Sequence, residues 1–124
     1  MKPRLLADEN TSKHLVAACR RLQADFSIAH ISDWERGACR GLEDTALLLT
    51  LRDQGMILVG FDRASMAMHA GNLTRRSVGH SGVVLFRPSV PTVAYGQQAR
   101  LLVELMAETV DWDWADRIEY LPRA

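Results

Sequence analysis

The chain has 124 residues, of which 48% are hydrophobic and 24% are charged, and its 15 basic and 15 acidic residues cancel. This length suits one domain over residues 1–124, and the composition excludes intrinsic disorder, a collagen-like repeat and a coiled-coil rod. The balanced charge also argues against a nucleic-acid binder that works by bulk positive charge.

Apolar runs alternate along the chain with segments of helical periodicity. Strands are predicted at 4–7, 26–31, 56–61, 82–86 and 117–121. Helices are predicted after a cap at Asn10 or Thr11, at 42–54, in the first part of 63–81 and at 92–110. Residues 33–41 read as a polar loop. This alternation predicts an α/β fold with a central, mostly parallel sheet of four to five strands flanked by helices.

The cysteines and the N-terminus indicate the compartment. Cys19 and Cys39 belong to no CxxC pair, and no histidine spacing completes a zinc site, so we expect two reduced, packed thiols. The chain starts with Asp and Glu at positions 8 and 9 instead of the apolar core of a signal peptide, and it has no run of 18 apolar residues. We therefore expect a cytoplasmic protein without a membrane span.

Acidic residues follow the first and third predicted strands. Asp8 and Glu9 come after the first, Asp62 comes after the third, and Asp44 starts a helix. Ligands bind at the carboxyl ends of parallel strands, and converging carboxylates are tolerated where a cation neutralises them. Oxygen ligands suit Mg²⁺ or Mn²⁺, which orients water and balances charge on a phosphoryl group. Each acid alone is more typical of a helix cap, but together they predict a metal site.

Basic residues come directly after Asp62. From Arg63 to Val103 the chain has five arginines and no acid. Arg63 and Arg87 are the residues that we expect at the phosphates of a backbone near the metal, because one guanidinium group can bind two phosphate oxygens. Further candidates for the same role are Arg75, Arg76, His69 and His80. The alternative is that the loop arginines are simply solvated and that Arg87 pairs with a C-terminal acid.

Five short motifs, taken in order, resemble a known family. They are LLADEN from residue 5, GLED from 41, ILVGFDR from 57, HSGVVLFR from 80 and RIEYLP from 117. Over nearly the whole chain they resemble the short PIN-like domains long catalogued as a family of unknown function.

The resemblance implies a PIN-like fold and a ribonuclease that depends on Mg²⁺ or Mn²⁺. It implies that Asp8, Asp44 and Asp62 hold the metal, with Glu9 as a further candidate, and that cleavage leaves a 3′-hydroxyl and a 5′-phosphate. It also implies a toxin whose small antitoxin partner would cover the acidic edge. A homodimer through the helix at 92–110 is a further interpretation.

The third motif departs from the family, which usually reads Thr-x-Asp-Arg-Asp-Phe there. Gly60 replaces the Thr, and Ala64 and Ser65 replace the last two residues. The missing carboxylate disfavours a two-metal site and leaves a catalytically decayed PIN-like binding module as an alternative. A second alternative is a phosphoacceptor receiver domain, which also has acids after its first and third strands. A receiver needs a Lys after its last strand, and the last Lys here is Lys13.

Overall fold

The computed structural model describes residues 3–62 and 65–123 and has an α/β fold. The strands are β1 (Arg4–Ala7), β2 (Ile28–His30), β3 (Met56–Phe61), β4 (Val83–Phe86) and β5 (Ile118–Leu121). The α-helices are α1 (Lys13–Leu22), α2 (Asp44–Gln54), α3 (Met66–Arg75) and α4 (Tyr95–Glu108). The loop between β2 and α2 contains a 3₁₀ turn at Trp34–Gly37. The predicted fold class and the alternation of strands and helices are confirmed.

The five strands form one parallel sheet in the order β2-β1-β3-β4-β5. Arg4 pairs with Met56 and Ala7 with Val59, so β1 and β3 are neighbours in the sheet. The chain runs from β1 to β2 in one direction, then crosses back over β1 and continues through β3, β4 and β5 in the other. Sheets wound in this way bind ligands where the direction reverses, here between the carboxyl ends of β1 and β3.

Strand side chains alternate between two hydrophobic cores, one on each face of the sheet. Val59 and Phe61 lie in the core that α1 and α4 cover, whereas Leu58 and Leu85 lie in the core that α2 and α3 cover. Successive strand residues point to opposite faces. Continued past the strand ends, this alternation assigns four residues to the face covered by α2 and α3: Asp8, Gly60, Asp62 and Arg87.

The helix boundaries follow local signals, although α2 starts at Asp44 instead of 42, α4 ends at Glu108 instead of 110, and the α1 cap and the start of α4 also differ from prediction. The cap of α1 is Ser12, whose hydroxyl accepts from the His14 N–H at 3.0 Å, rather than Asn10 or Thr11. Helix α2 ends as predicted, because Gly55 adopts the left-handed conformation that closes a helix. Helix α4 starts later than predicted, because the Ala94 N–H donates to the Pro91 carbonyl and closes a turn first.

The thiols and the helix lengths give two further findings. Cys19 and Cys39 are buried and unpaired. Burial raises the pKa of Cys19 to about 12 and also raises the pKa of Cys39, so both thiols stay protonated at neutral pH. In the part of the chain that the structure describes, no helix has the length and apolar character needed to cross a membrane.

Candidate functional site

Asp8 lies in a tight turn directly after β1. Its Oδ1 accepts from the Asn10 N–H at 2.9 Å, and its main-chain carbonyl accepts from the Thr11 hydroxyl at 2.7 Å. Its own N–H donates to the Val59 carbonyl at 3.0 Å, which holds the turn against β3. The Asp8 carboxylate is therefore fixed from both ends of the residue.

Gly60 of β3 provides the space into which the Asp8 carboxylate fits. A Cβ atom at position 60 would lie 3.1 Å from Asp8 Cγ and closer still to Asp8 Oδ2. A glycine inside a strand often marks such a close approach. The departure from the family's Thr therefore has a direct structural correlate, since any side chain at position 60 would displace the Asp8 carboxylate.

The Asp8 carboxyl group titrates close to neutral pH. Burial is the largest cause and raises its pKa from 3.8 to about 6, although the N–H groups of Asn10 and Thr11 lower it in part. The Asp44 carboxylate raises the pKa further, and His30 lowers it. Burial, more than the neighbouring acid, therefore makes the ionised form of Asp8 unfavourable.

Asp44 is the first residue of α2, and the start of α3 supports it. The Ser65 hydroxyl donates to Asp44 Oδ2 at 2.9 Å. His69 Nε2 lies 3.9 Å from the same oxygen, while His69 Nδ1 lies 3.3 Å from the Thr45 hydroxyl. Asp44 and His69 are both about one-third exposed, so a ligand reaches them from solvent.

Asp62 and Arg87 lie at the ends of β3 and β4. The Asp62 N–H donates to the Phe86 carbonyl at 2.8 Å, and the Asp62 side chain is half-buried. Arg87 Nε donates to the Pro122 carbonyl at 2.8 Å, and its guanidinium lies 5.2 Å from the centroid of the Tyr120 ring. Arg87 is thus fastened to the end of β5 by a carbonyl and a ring instead of by a C-terminal acid. Arg63, the other predicted phosphate contact, and Ala64 lie outside the described residues.

Glu9 contacts a loop instead of the other acids. Its Oε1 accepts from the Gly41 N–H at 2.6 Å, which ties the loop before α2 to the end of β1. One of its two oxygens is therefore already engaged. This contact also helps to position Asp44, which follows Gly41 by three residues.

The predicted metal ligands do not form a closed cage. Among residues 3–62 and 65–123, no group of three or more His, Cys, Asp and Glu side chains is arranged to hold a metal ion. What the site offers is the pair Asp8 and Asp44, with Asp62 on the same face at the neighbouring strand end. That set suits Mg²⁺, which usually keeps several waters and takes one or two carboxylates together with substrate phosphates.

Three of the further candidates for phosphate contacts lie at the amino ends of the parallel strands, here called the amino edge. Helix α3 starts at the carboxyl edge and runs back, so that Arg75, Arg76 and the following His80 lie at the amino edge. His80 is buried, and its Nδ1 accepts from the Gly82 N–H at 3.1 Å. The interpretation of these residues as phosphate contacts beside the metal is wrong. Helix α3 runs the length of the strands between them and the proposed metal site.

Sequence reasoning missed His30, which ends β2 and is buried beside Asp8. The Ser32 N–H donates to His30 Nδ1 at 3.2 Å, so Nε2 carries the proton and donates to the Thr11 carbonyl at 3.0 Å. His30 thereby supports the turn that holds Asp8. Its position at a strand end was a usable signal, because the same rule had selected Asp8 and Asp62.

Comparisons with protein-family models, with curated proteins and with solved structures find no significant match to this chain. The function is therefore argued from the residues of the site.

Proposed function

We propose that this chain is a divalent-metal-dependent ribonuclease of PIN-like type, active at the carboxyl edge between β1 and β3. The observation that carries the proposal is the position of two acids, Asp8 after β1 and Asp44 at the start of α2 with its bond to Ser65, at the edge where such sheets bind ligands. Neighbouring carboxylates favour a proton or a cation between them, because each raises the free energy of the other's ionised form.

The ion would be Mg²⁺ or Mn²⁺, held by Asp8 and Asp44, with Asp62 acting directly or through water. When bound, such an ion activates water and balances the charge that grows on a phosphoryl group. Substrate phosphate oxygens would complete the ligand set that the protein leaves open.

The chain's own residues would position this chemistry. The Asn10 and Thr11 contacts and the space at Gly60 fix the orientation of Asp8, and Ser65 fixes Asp44. His69 is accessible beside Asp44, and its proposed role is to give a proton to the leaving 3′ oxygen. Arg87 uses its Nε on the Pro122 carbonyl, which leaves its Nη donors for a phosphate, and Arg63 remains a proposed second contact.

The test is a Mn²⁺ titration by calorimetry, followed by incubation of the same samples with structured RNA. We expect Asp8→Asn and Asp62→Asn to weaken Mn²⁺ binding by at least about tenfold and to abolish metal-dependent cleavage. Asp111→Asn is the matched control, because Asp111 is an exposed acid outside the site. Metal binding without cleavage would instead support the decayed binding module, and wild type without metal binding would refute the proposal.

The toxin role rests on the resemblance in the five motifs. We expect expression of the wild type to arrest bacterial growth and expression of Asp8→Asn to be tolerated. A small antitoxin that covers the acidic edge would restore growth and would block metal binding by the wild type. Substitutions at that edge would remove this block. Growth unaffected by an active wild-type enzyme would contradict the toxin role while leaving the nuclease standing.

A receiver domain is the second candidate, because the strand order β2-β1-β3-β4-β5 is also the order of that fold. Its acceptor would be Asp62. The missing Lys weighs against it, since the phosphoryl group would lack its usual cation. Incubation with acetyl phosphate and measurement of the intact mass decides the matter: phosphorylation of wild type but not of Asp62→Asn would favour the receiver.

A further inference from the structure

A cavity lies at the carboxyl edge of the sheet, on the β2 side of Asp8. It measures about 620 Å³ and is lined by Glu9, His30, Ser32, Gly37, Arg40 and Gly41. It is open to solvent on one side rather than enclosed. Because Glu9 adjoins Asp8 in the chain, a group seated there would lie next to the proposed metal site.

The wall of this cavity is a loop held in an unusual conformation. Glu35 and Arg36 both adopt positive φ angles, of 49° and 56°, which L residues rarely do and which costs free energy. The loop is nevertheless anchored: Asp33 pairs with Lys13 at 3.0 Å, and the Cys39 side chain is buried in the core below. Such an anchored loop presents its polar atoms in a fixed arrangement.

The charged groups of the cavity are one cation, Arg40, and one partly engaged carboxylate, Glu9. Among the contacts of the described residues, none engages the Arg40 guanidinium, whose stem passes over Gly37. Glu9 uses Oε1 on the Gly41 N–H, so Oε2 remains as an acceptor. A guanidinium suits a phosphate, and a carboxylate oxygen can accept from a ribose hydroxyl, as an acid does in dinucleotide-binding sheets.

We infer that this cavity binds a ribonucleotide of the substrate strand, with Arg40 on its phosphate and Glu9 accepting from its 2′-hydroxyl. The inference rests on the proposed nuclease function and names what that function leaves open, the selection of RNA over DNA. Only RNA carries the 2′-hydroxyl, so the Glu9 contact would discriminate against a deoxyribose strand. It also gives Glu9 a different role from the fourth metal ligand that the resemblance implies.

The test uses adenosine 5′-monophosphate (AMP) and its 2′-deoxy counterpart as probes, titrated by NMR into the full chain in EDTA. We expect wild type to bind AMP about fivefold more tightly than the deoxy form, the size of one hydrogen bond. Shifted amides should include Ser32, Gly37 and Gly41. Equal affinities in wild type, or shifts confined to other parts of the chain, would overturn the assignment.

Two substitutions separate the two contacts. Glu9→Ala is expected to bring the affinity ratio close to one, and Glu9→Gln, which keeps an oxygen for Gly41, to give an intermediate ratio. Arg40→Ala is expected to weaken both probes by about fivefold and to keep the ratio. Arg100→Ala, an exposed arginine on α4, is the control and should match wild type. A ratio unchanged in both Glu9 variants would overturn the role of Glu9.

Two further titrations distinguish this inference from the nuclease proposal. Asp44→Asn is expected to lose Mn²⁺ binding and to keep the AMP preference, because the cavity does not include Asp44. Failure of metal-dependent cleavage with an intact AMP preference would therefore refute the nuclease alone. A single-stranded RNA hexamer should bind more tightly than AMP; weaker binding would assign the cavity to a free nucleotide and overturn its assignment to a strand.

Discussion

The surroundings of charged groups differ between the amino edge and the carboxyl edge of the parallel sheet. At the amino edge, Asp116 accepts from the Thr74 hydroxyl at 2.8 Å and from the His80 N–H at 3.3 Å. At the carboxyl edge, Asp8 faces a second carboxylate, Asp44, and burial makes its ionised form unfavourable. The amino edge thus surrounds its carboxylate with hydrogen bonds, whereas the carboxyl edge buries a carboxylate whose ionised form is unfavourable and which a cation would stabilise.

Two glycines, one at each edge, test this difference, and here we expect the largest effect on stability. At the amino edge, Gly82 has a φ of 111°, and a Cβ there would lie 3.0 Å from Trp114 Cε3 and 3.1 Å from the Trp114 carbonyl oxygen. Gly82→Ala should lower the free energy of unfolding by about 2–4 kcal/mol, through backbone strain and overlap. At the carboxyl edge, Gly60→Ala meets only a side chain, because the Asp8 carboxylate can rotate away at the cost of its bond to the Asn10 N–H, and it should cost about 1 kcal/mol.

The variant with the smaller effect on stability should have the larger effect on Mn²⁺ binding. Gly60→Ala is expected to weaken Mn²⁺ binding by about tenfold, because it displaces the Asp8 carboxylate, while Gly82→Ala leaves the affinity of the folded protein unchanged. Urea denaturation and calorimetry measure the two quantities. A larger loss of unfolding free energy in Gly60→Ala than in Gly82→Ala would contradict this difference between the two edges.

The dependence of stability on pH should be the next largest effect. Asp8 has a folded-state pKa of about 6, above its ordinary 3.8, so between these values the folded protein binds more protons than the unfolded chain. Its contribution to stability is therefore present at low pH and is lost as pH rises toward 7, by about 1–3 kcal/mol.

His80, at the amino edge, changes the stability of the fold with pH in the opposite direction. Burial lowers its pKa, so the unfolded chain binds more protons below pH 6.5, and stability falls as pH falls. The two effects separate when wild type and Asp8→Asn are denatured side by side in EDTA at pH 4.5 and 7.5. Their difference in unfolding free energy should change with pH; a difference that stays constant would show that Asp8 titrates normally.

The smallest expected effect comes from removing one hydroxyl at each edge. Ser65→Ala deletes the hydrogen bond to Asp44 and should weaken Mn²⁺ binding a few-fold, with less than about 1 kcal/mol lost in stability. Thr74→Ala deletes the bond to Asp116 and should cost about 1 kcal/mol with no change in Mn²⁺ affinity. Equal effects of both variants on metal binding would contradict the assignment of the site to one edge.

Much of the fold was predictable because its signals are local. The bounds of β1 and β3 match the predicted 4–7 and 56–61, since both are short apolar runs that end at an acid. Strand β2 is shorter than the predicted 26–31, because Phe26 N–H donates to the Gln23 carbonyl in a turn that apolar composition does not reveal.

The site was predictable in its strand-end acids and less so in its supports. Asp8 and Asp62 follow from the rule about parallel strands, and Asp44 from its place at a helix start. The bonds of Ser65 to Asp44 and of Glu9 to Gly41 join residues 21 and 32 positions apart, so they depend on how α3 and a loop pack against the sheet. No single-sequence pattern encodes that packing, and the same reason explains the misplacement of Arg75, Arg76 and His80.

The strand order also has a consequence for synthesis on the ribosome. Strand β1 lies between β2 and β3, although both follow it in the chain, and Arg4 must pair with Met56, 52 residues later. Until β3 has emerged, β1 lacks one neighbour, and its apolar side chains remain open to chaperones and to aggregation. A nascent chain therefore cannot bring the carboxyl ends of β1 and β3 together, and cannot form the candidate site between them, until the residues up to Phe61 have left the ribosome.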